Sequence, residues 1–433
     1  MTNPVDLKAP PLGGRGANIT FITTGQPSTN PRLVKEAETL IKLGYQVKVI
    51  CCFYQGWAQE FDREIINRNK DVYIYCGGDP VNEKLSYYKT RLRQKTSLHL
   101  FNYTKALGVP ENAISRTHAE ALSIAKSIKT DLYIAHNLGA LPAAVLAAKF
   151  NGAKVGYDAE DMHSGQFKNR TEKGYLLNKY IEEKYFPQTD YFTAASPLIA
   201  QNYKQVYPYL NPVLINNVFP KTDLQVSANT DAAQPLKLFW FSQTIGAKRG
   251  IENIIGAMAL IAKPTELHLL GNCSAQDELA IVELAKYNRL APDQIHFHKP
   301  IAPDELFKFS ARFDIGMATE TAPNLNRDIC LTNKIFTYIQ AGLAIIASDT
   351  QAQRLFLEQY PNTGSLYQKD DVSSLANCIM EYAENPEKLA QTKQMSYQLG
   401  QTELNWENES QIFQNLIEGQ ESRIKNQDNK NKF

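Results

Sequence analysis

Lys334 and Arg249 are basic residues whose positions suit the binding of an anionic ligand. Lys334 lies in the first turn of a predicted helix. The helix dipole disfavours a cation there unless a bound anion contacts both the lysine and the helix N-terminus. Arg249 precedes Gly250 and another predicted helix, and a guanidinium at such a turn can bind phosphate oxygens through two hydrogen bonds. At both positions a solvated basic side chain without a ligand is the alternative.

Glu320 lies two residues beyond the carboxyl end of the predicted strand Ile315–Ala318. In open α/β sheets, ligands bind beyond the carboxyl ends of the strands. Three separate loops therefore bring Arg249, Glu320 and the pair Asn333 and Lys334 to one rim of the predicted C-terminal sheet.

His136 and Asn137 directly follow the predicted strand Leu132–Ala135. A histidine that leaves a parallel strand toward a cleft can donate to a sugar hydroxyl or an oxyanion, and a hydrogen-bonded structural histidine is the alternative. Gly25 follows the first strand, where it either lets a substrate approach the backbone or is a simple turn glycine. It does not belong to a GxGxxG sequence, which disfavours a dinucleotide site.

Acidic residues concentrate in the loop DAEDMHSGQF, which contains Asp158, Glu160, Asp161 and His163. Their spacing lacks the pattern of a metal site, so we interpret the carboxylates as groups that hold hydroxyls or begin the next helix. No DxD sequence occurs, which argues against a Mg²⁺-diphosphate site. None of the six cysteines forms a CxxC pair. The sequence therefore predicts no metal and no cofactor.

The stretch TNKIFTYIQAGLAIIASDT, from Thr332 to Thr350, predicts a helix followed by a buried strand. Thr332 or Asn333 can accept hydrogen bonds from the first free N–H groups of the helix, and Gly342 ends it in a left-handed conformation. The apolar run Leu343–Ala347 is typical of a strand buried on both faces.

Length and composition indicate two domains in a reducing compartment. The chain has 433 residues, of which 43% are hydrophobic, and its net charge of +1 gives no indication of nucleic-acid binding. The N-terminal residues lack the apolar core of a signal peptide, and no apolar run approaches the roughly 20 residues that span a bilayer. We expect a cytoplasmic protein.

A β–α–β pattern occurs twice along the chain. Asn18–Thr24 and Val47–Cys52 are predicted strands on either side of a helix that begins at Asn30, and a right-handed crossover makes them parallel. A second alternation begins with the predicted strand Leu236–Phe241. We therefore predict the α/β class, with two doubly wound, Rossmann-like parallel-sheet domains that face a central cleft.

The predicted domain boundaries follow changes in composition. Few large apolar residues occur between the two alternations, and both chain ends are polar or rich in Pro and Gly. The segments are a disordered N-terminus (1–16), an N-terminal domain (17–218), a linker (219–236), a C-terminal domain (237–400), a C-terminal helix that can pack back on the N-terminal domain (401–420) and a disordered tail (421–433).

Five stretches, in order between about residues 17 and 410, resemble GT-B glycosyltransferases, especially the retaining enzymes of family 4. They are similar to the first helix and second strand, two acceptor-side loops, the donor-side loop that opens the C-terminal domain, and the nucleotide-sugar helix with its following strand. The stretches are PSTNPRLVKEAETLIKLGYQVKVI, DLYIAHNLGALPAAVLAAK, GYDAEDMHSG, FSQTIGAKRGIENII and NKIFTYIQAGLAIIASD.

The resemblance implies that the C-terminal domain binds a nucleotide sugar and that the N-terminal domain receives a glycan or lipid-linked acceptor. Arg249 and Lys334 would neutralise the diphosphate leaving group. His136 and Glu320 would be the catalytic groups that contact the transferred sugar or hold the donor. The other implied donor-binding residues are Gly25, Ser242, Gln243, Asn326 and Asn333, and the implied acceptor-side residues are Asn137, Asp158 and Glu160.

The sequence departs from the family pattern at two places. Many relatives carry two glutamates eight positions apart, and here Ile329 and Thr337 occupy those positions. Many also carry Arg and Lys five positions apart in the donor-side loop, where this chain has Thr244 and Arg249. Both departures concern contacts to the ribose and phosphates of the donor.

The leading hypothesis is a retaining, metal-independent glycosyltransferase of bacterial surface polysaccharide biosynthesis. The donor carries its own leaving group, so the protein must position it and stabilise the negative charge that develops. No strong nucleophile is evident, which suits a front-face mechanism. A sugar-nucleotide epimerase and a non-catalytic GT-B binding subunit are the alternatives.

Residues 84–105 contain six Lys or Arg residues and no acidic residue, with Tyr, Leu and Phe interleaved. Basic and aromatic residues together favour an anionic membrane surface. The segment would place the protein at the inner face of the membrane, where a lipid-linked acceptor enters the N-terminal domain. A solvated basic helix face over the N-terminal core is the alternative.

Overall fold

The computed structural model describes residues 16–106, 108–226 and 234–430, with side chains described up to Gln420. Three predicted features lie partly outside the described residues. These are the N-terminal disorder (1–15), the linker (227–233) and the end of the tail (431–433).

Parallel strands form the sheet of the N-terminal domain, and helices alternate with these strands along the chain. The order across the described sheet is β3-β2-β1-β4-β5-β6-β7, and every neighbouring pair is parallel. The strand order reverses direction between β1 and β4, so the sheet is doubly wound, as predicted. The strands are β1 (Asn18–Thr23), β2 (Gln46–Cys52), β3 (Tyr73–Cys76), β4 (Leu132–His136), β5 (Lys154–Ala159), β6 (Tyr191–Ala194) and β7 (Val213–Leu214).

Helices cover both faces of this sheet, and two apolar clusters of buried side chains fill the space between. The described helices are α1 (Pro31–Lys42), α2 (Ala58–Arg68), α3 (Lys84–Leu100), α4 (Val109–Ile114), α5 (His118–Ser127), α6 (Leu141–Asn151), α7 (Lys173–Tyr185) and α8 (Pro197–Val206).

The C-terminal domain repeats the architecture. Its described strands lie in the order β10-β9-β8-β11-β12-β13, all parallel, and the strand order reverses between β8 and β11. The strands are β8 (Leu236–Ile245), β9 (Thr265–Cys273), β10 (Ile295–His298), β11 (Ile315–Ala318), β12 (Ala344–Ser348) and β13 (Gly364–Tyr367). The described helices are α9 (Ile251–Met258), α10 (Ala275–Tyr287), α11 (Leu306–Ser310), α12 (Leu325–Ile329), α13 (Asn333–Ala341), α14 (Gln351–Gln359), α15 (Val372–Glu384), α16 (Pro386–Thr402) and α17 (Trp406–Lys430).

Local sequence accounts for several of these boundaries. The Asn30 side chain accepts a hydrogen bond from the Leu33 N–H at 3.0 Å and so caps α1. Gly342 ends α13 with a φ of 66°, the left-handed conformation predicted for it. Neither predicted residue caps α13 with its side chain: the Thr332 hydroxyl donates to Glu320 at 3.3 Å, and Asn333 Oδ1 accepts from Asn217 Nδ2 at 2.7 Å.

Two elements between residues 350 and 372 were not predicted, namely α14 and β13. The strand β13 begins at Gly364, where a Cβ atom would lie 2.2 Å from the carbonyl oxygen of Ile345. The short sequence GSLY has no apolar run of its own, so it becomes a strand only through its parallel pairing with β12. Helix α17 also continues to Lys430, into the segment for which a loose tail was predicted.

Helix α17 returns from the C-terminal domain to the N-terminal domain. The Trp406 indole N–H donates to the Thr39 hydroxyl of α1 at 2.9 Å. Phe413 and Ile417 are buried in the same apolar cluster as Leu33 of α1. The helix therefore joins the two domains on the side of α1.

Among the described helices, none combines the length and the apolar character that crossing a membrane requires.

Candidate active site

The loops that follow β8 and β11 meet at the point where the strand order of the C-terminal sheet reverses. Gly250 has a φ of 82°, and a Cβ atom there would lie 2.2 Å from the carbonyl oxygen of Thr319. The Thr321 hydroxyl donates to the Lys248 carbonyl at 3.3 Å. Only a glycine permits this close approach, which brings the two loops together where doubly wound sheets bind ligands.

Lys334 and Glu320 form an ion pair at this point, with Lys334 Nζ 2.8 Å from Glu320 Oε1. Their side chains are only 14% and 15% exposed. Lys334 Nζ also lies 5.1 Å from the centre of the Trp240 ring. Burial alone would raise the pKa of Glu320, but Lys334, together with Arg327 and Thr332, lowers it below its ordinary value. The pair therefore holds a cation at the first turn of α13, on the same rim as the loop after β11. The ion pair itself was not predicted, and the donor-binding roles of Lys334 and Glu320 stay predictions.

Three buried polar side-chain atoms near this pair have no hydrogen-bond partner among the described residues. They are Trp240 Nε1, Thr319 Oγ1 and Thr337 Oγ1. Trp240 lies beside Lys334, Thr319 precedes Glu320, and Thr337 is one helical turn along α13. The sequence did not predict Trp240 and Thr319 as site residues. Both lie in or beside apolar strands, a position that is typical of residues in the hydrophobic core.

Arg249 lies at the exposed edge of the same loop cluster. Its Nη1 donates to the Ser242 hydroxyl at 2.8 Å. Gln243 is also exposed, in a strand whose register with β9 shifts between Phe241 and Thr244. The predicted residues Ser242 and Gln243 thus lie near the carboxyl end of β8, and Arg249 lies on the exposed loop that follows it.

Asn326 and Asn333 contact the N-terminal domain rather than open space. Asn326 Oδ1 accepts from the Met162 N–H at 2.7 Å, and its Nδ2 donates to Asp161 at 2.8 Å. Asn333 Oδ1 accepts from Asn217 Nδ2 at 2.7 Å. Loops at the carboxyl ends of the two sheets therefore face and contact each other. The donor-binding roles of both asparagines stay predictions. To bind a donor, each side chain would have to replace these hydrogen bonds with hydrogen bonds to the ligand.

His136 is fully buried, and both of its ring nitrogens contact carboxylates. Nε2 lies 3.0 Å from Glu36, and Nδ1 lies 3.0 Å from Glu160 and 3.4 Å from Asp158. Burial alone would lower the pKa of His136, but Glu36, Glu160 and Asp158 raise it to about 10. No ring nitrogen is free for a sugar in this arrangement, so the geometry favours the structural alternative over the predicted catalytic role.

Asp158 is likewise held inside the domain, although the sequence assigned it to the acceptor side. Arg32 Nε and Nη2 each donate to one of its carboxylate oxygens at 2.7 Å. Burial alone would raise the pKa of Asp158, but Arg32 and His136 lower it to about 2. Sequence reasoning missed Arg32 and Glu36, although their spacing of four residues puts them on one face of the predicted helix α1.

The remaining N-terminal candidates lie nearer the surface. Glu160 is 27% exposed and accepts from Asn30 Nδ2 at 2.5 Å. Asn137 has a φ of 68°, and its Oδ1 accepts from the Thr24 hydroxyl at 2.9 Å. Gly25 follows Thr24, and its carbonyl accepts from the Cys52 N–H at 3.0 Å. Asn137 and Gly25 therefore lie together where the N-terminal strand order reverses.

No protein-family model matches the sequence, and no curated protein matches it. Solved structures of the same architecture do match nearly the whole chain. The Anabaena protein Alr3699/HepE in complex with UDP and glucose aligns with a TM-score of 0.68 at 15% identity, covering 93% of this chain and 100% of that chain.

Sucrose-phosphate synthase from Thermosynechococcus elongatus aligns with a TM-score of 0.64 at 14% identity, covering 93% of this chain and 100% of that chain. A glycosyltransferase from Rickettsia africae aligns with a TM-score of 0.63 at 12% identity, covering 94% and 99%. At these identities the similarity establishes the fold. The chain has the two-domain α/β architecture of GT-B glycosyltransferases, which confirms the predicted fold class.

We expect His136→Gln to destabilise the protein in a pH-dependent way. The change leaves Glu36 and Glu160 without their buried cation, and removing one partner of a buried ion pair costs about 3–5 kcal/mol. The pKa of His136 is raised to about 10 in the folded protein, against about 6.5 when unfolded. Its stabilising contribution is therefore complete below about pH 6.5 and is lost as the pH rises through about 10.

The melting temperatures of wild type and H136Q, followed by circular dichroism, should differ most near about pH 6 and converge toward about pH 10. His99→Gln, which changes an exposed histidine of α3, is the matched control and should follow the wild type at every pH. A constant gap between wild type and H136Q across this range would contradict a charged His136.

Proposed function

We propose that this chain is a glycosyltransferase that moves a sugar from a nucleotide-sugar donor to a glycan or lipid-linked acceptor. The observation that carries the proposal is the Lys334–Glu320 ion pair at the first turn of α13. This pair lies where the C-terminal sheet reverses its strand order. A protein of the same architecture has been solved with UDP and glucose.

The charge distribution supports a diphosphate at this position. Lys334 donates one N–H to Glu320 and keeps further donors for a ligand. The first N–H groups of α13 receive no side-chain cap, and Arg249 is exposed on the adjacent loop. A helix N-terminus with two cationic side chains stabilises the negative charge that develops on a leaving nucleoside diphosphate.

The unpartnered polar atoms give the proposal independent support. A buried donor without an acceptor costs about 1–3 kcal/mol, so native structures rarely retain several in one place. The indole N–H of Trp240 and the hydroxyls of Thr319 and Thr337 would be satisfied by ligand oxygens that enter beside Lys334. Thr337 occupies the place where many family members have a glutamate, so we propose that its hydroxyl contributes to recognition of the donor there.

We further propose that transfer retains the anomeric configuration and needs no metal, as in family 4 enzymes. Two of the candidate carboxylates are committed to cations, since Asp158 is paired with Arg32 and Glu320 with Lys334. Neither is thereby free to act as a nucleophile. In a front-face reaction the leaving diphosphate assists the incoming acceptor. The protein then mainly has to position the two substrates and stabilise the negative charge of the leaving group.

Substitution of the two cations tests the phosphate role. We expect Lys334→Ala and Arg249→Ala each to reduce turnover of the nucleotide sugar by about tenfold or more, because a charged hydrogen bond is worth roughly 1.5–3 kcal/mol. Turnover is measured as nucleoside diphosphate release with the donor that best raises the melting temperature in a screen.

Lys299→Ala removes an exposed lysine of the same domain and should leave turnover unchanged. Circular dichroism verifies that each variant is folded. If both Lys334→Ala and Arg249→Ala retain turnover within about twofold of wild type, the phosphate role is excluded. Product analysis without acceptor tests the epimerase alternative. A donor sugar whose configuration changes, without transfer, would indicate an epimerase.

Metal independence has its own test. We expect turnover to persist when EDTA is present in excess, because the proposed charge stabilisation comes from Lys334, Arg249 and the α13 N-terminus. The assay is run well below the melting temperature measured in EDTA, so that unfolding does not contribute. Complete loss of turnover in EDTA that Mn²⁺ or Mg²⁺ restores would overturn the metal-free mechanism.

We also propose that α3 and the residues after it contact the inner face of an anionic membrane, in a protein of bacterial surface polysaccharide biosynthesis. The orientation of α3 supports this: Leu85, Tyr88 and Leu92 are 90%, 60% and 68% exposed. The buried residues of α3 are the polar Thr90 and Ser97. Because the apolar side chains point outward among the lysines, a partner with an anionic and an apolar layer suits this surface.

Charge reversal tests the membrane contact. We expect Lys89→Glu/Lys95→Glu to weaken binding to anionic liposomes about thirtyfold, since each basic residue contributes about 1 kcal/mol. Lys286→Glu/Lys299→Glu makes the same change of net charge on exposed lysines of the C-terminal domain and should bind as wild type does. Co-sedimentation at rising salt measures the affinity. Equal binding to neutral and anionic vesicles, or none to either, would favour a soluble acceptor.

A further inference from the structure

Four side chains with metal-binding capacity share one face of the strands β9 and β10, in the C-terminal domain. Glu266 and His268 lie two residues apart on β9, and His296 and His298 lie two residues apart on β10. His296 pairs directly with His268 in the parallel register. Alternate residues of a strand point to the same face, so the pairing brings all four side chains together.

Three of these side chains hold their ligand atoms close together. Glu266 Oε2 lies 3.2 Å from His268 Nε2 and 3.9 Å from His296 Nε2. The three ligand atoms all lie within 4.8 Å of one another. His296 Nε2 is buried and has no hydrogen-bond partner in the part of the chain that the structure describes. An imidazole nitrogen without a partner, next to a carboxylate and a second imidazole, is an unsatisfied lone pair or proton.

We propose that Glu266, His268 and His296 bind a divalent transition-metal ion, with zinc as the representative species. Zinc takes imidazole nitrogens and carboxylate oxygens in tetrahedral sites and leaves a fourth position to water where the protein supplies three ligands. Zinc–ligand bonds of about 2.0–2.2 Å set tetrahedral ligand atoms about 3.4 Å apart. Glu266 Oε2 and His268 Nε2 are already at a suitable distance, whereas the His296 ring, which is stacked on His268, must turn to bring its Nε2 closer. His296 is partly exposed, so an ion can reach the site from solvent.

His298 supplies the partner that a ligating histidine needs. His268 Nδ1 lies 3.0 Å from His298 Nε2. When His268 Nδ1 carries the proton and donates it to His298, the lone pair of His268 Nε2 is free and faces Glu266. Ligating histidines are commonly oriented in this way, by an acceptor that holds the other ring N–H.

The ion would join an edge strand to the sheet and would take no part in sugar transfer. Glu266 lies near the amino end of β9, whereas the candidate active site lies at the carboxyl ends of the strands. β10 is the edge strand of the described sheet, and a ligand from each strand would tie it to β9. The proposal departs from the predicted absence of metal, and it is independent of the proposed function.

Zinc titration of the purified chain, expressed without a polyhistidine tag and stripped with EDTA, tests the site. We expect one zinc ion per chain by calorimetry. We also expect a melting temperature that rises by several degrees at saturating zinc, because an ion that binds only the folded state stabilises it. Glu266→Gln and His296→Ala should each weaken binding by at least roughly tenfold. His99→Ala, a change at an exposed histidine of α3, should bind zinc as wild type does.

Two substitutions on different strands keep the test decisive if one of them unfolds the protein. Circular dichroism of the metal-free variants identifies which are folded. Absence of stoichiometric zinc binding to the wild type would overturn the proposal. Wild-type zinc affinity in a folded Glu266→Gln or His296→Ala variant would also overturn it, because the ion would then bind elsewhere.

Discussion

The buried ion pair between Arg32 and Asp158 is the interaction on which the N-terminal domain most depends. Arg32 donates two hydrogen bonds to the Asp158 carboxylate, through Nε and Nη2. Its Nη1 donates to the carbonyl of Ile215 at 2.6 Å. Buried charges are tolerated only when each is paired and hydrogen-bonded. α1, β5 and the chain that leaves β7 must therefore keep their relative positions, and His136 completes the same network.

That network continues into the C-terminal domain. Lys35 of α1 donates to the Asn217 side chain at 3.2 Å, and Asn217 donates to Asn333 at 2.7 Å. Asn333 directly precedes Lys334, the fixed cation of the candidate active site. A change in the angle between the domains must therefore disturb contacts at the first turn of α13.

The sequence predicted the elements whose signals are local. The cap at Asn30, the helix end at Gly342 and the apolar runs of the central strands act within a few residues, so they could be recognised without tertiary structure. The strand β13 was missed because its sequence is not strand-like by itself. It forms through pairing with β12, and long-range pairing leaves no local pattern.

The sequence by itself determined the two doubly wound sheets and the side chains that follow their strands, because strand periodicity and the carboxyl-end rule depend only on residue order. Tertiary structure alone decided which of those side chains are free to bind a ligand. It placed Lys334 beside Glu320 at a loop junction that Gly250 makes possible, and it buried His136 between carboxylates. The residues that pair with these groups lie far away in the chain. The spacing of residues in the sequence therefore could not predict their burial and pairing, which set the chemistry of a charged group.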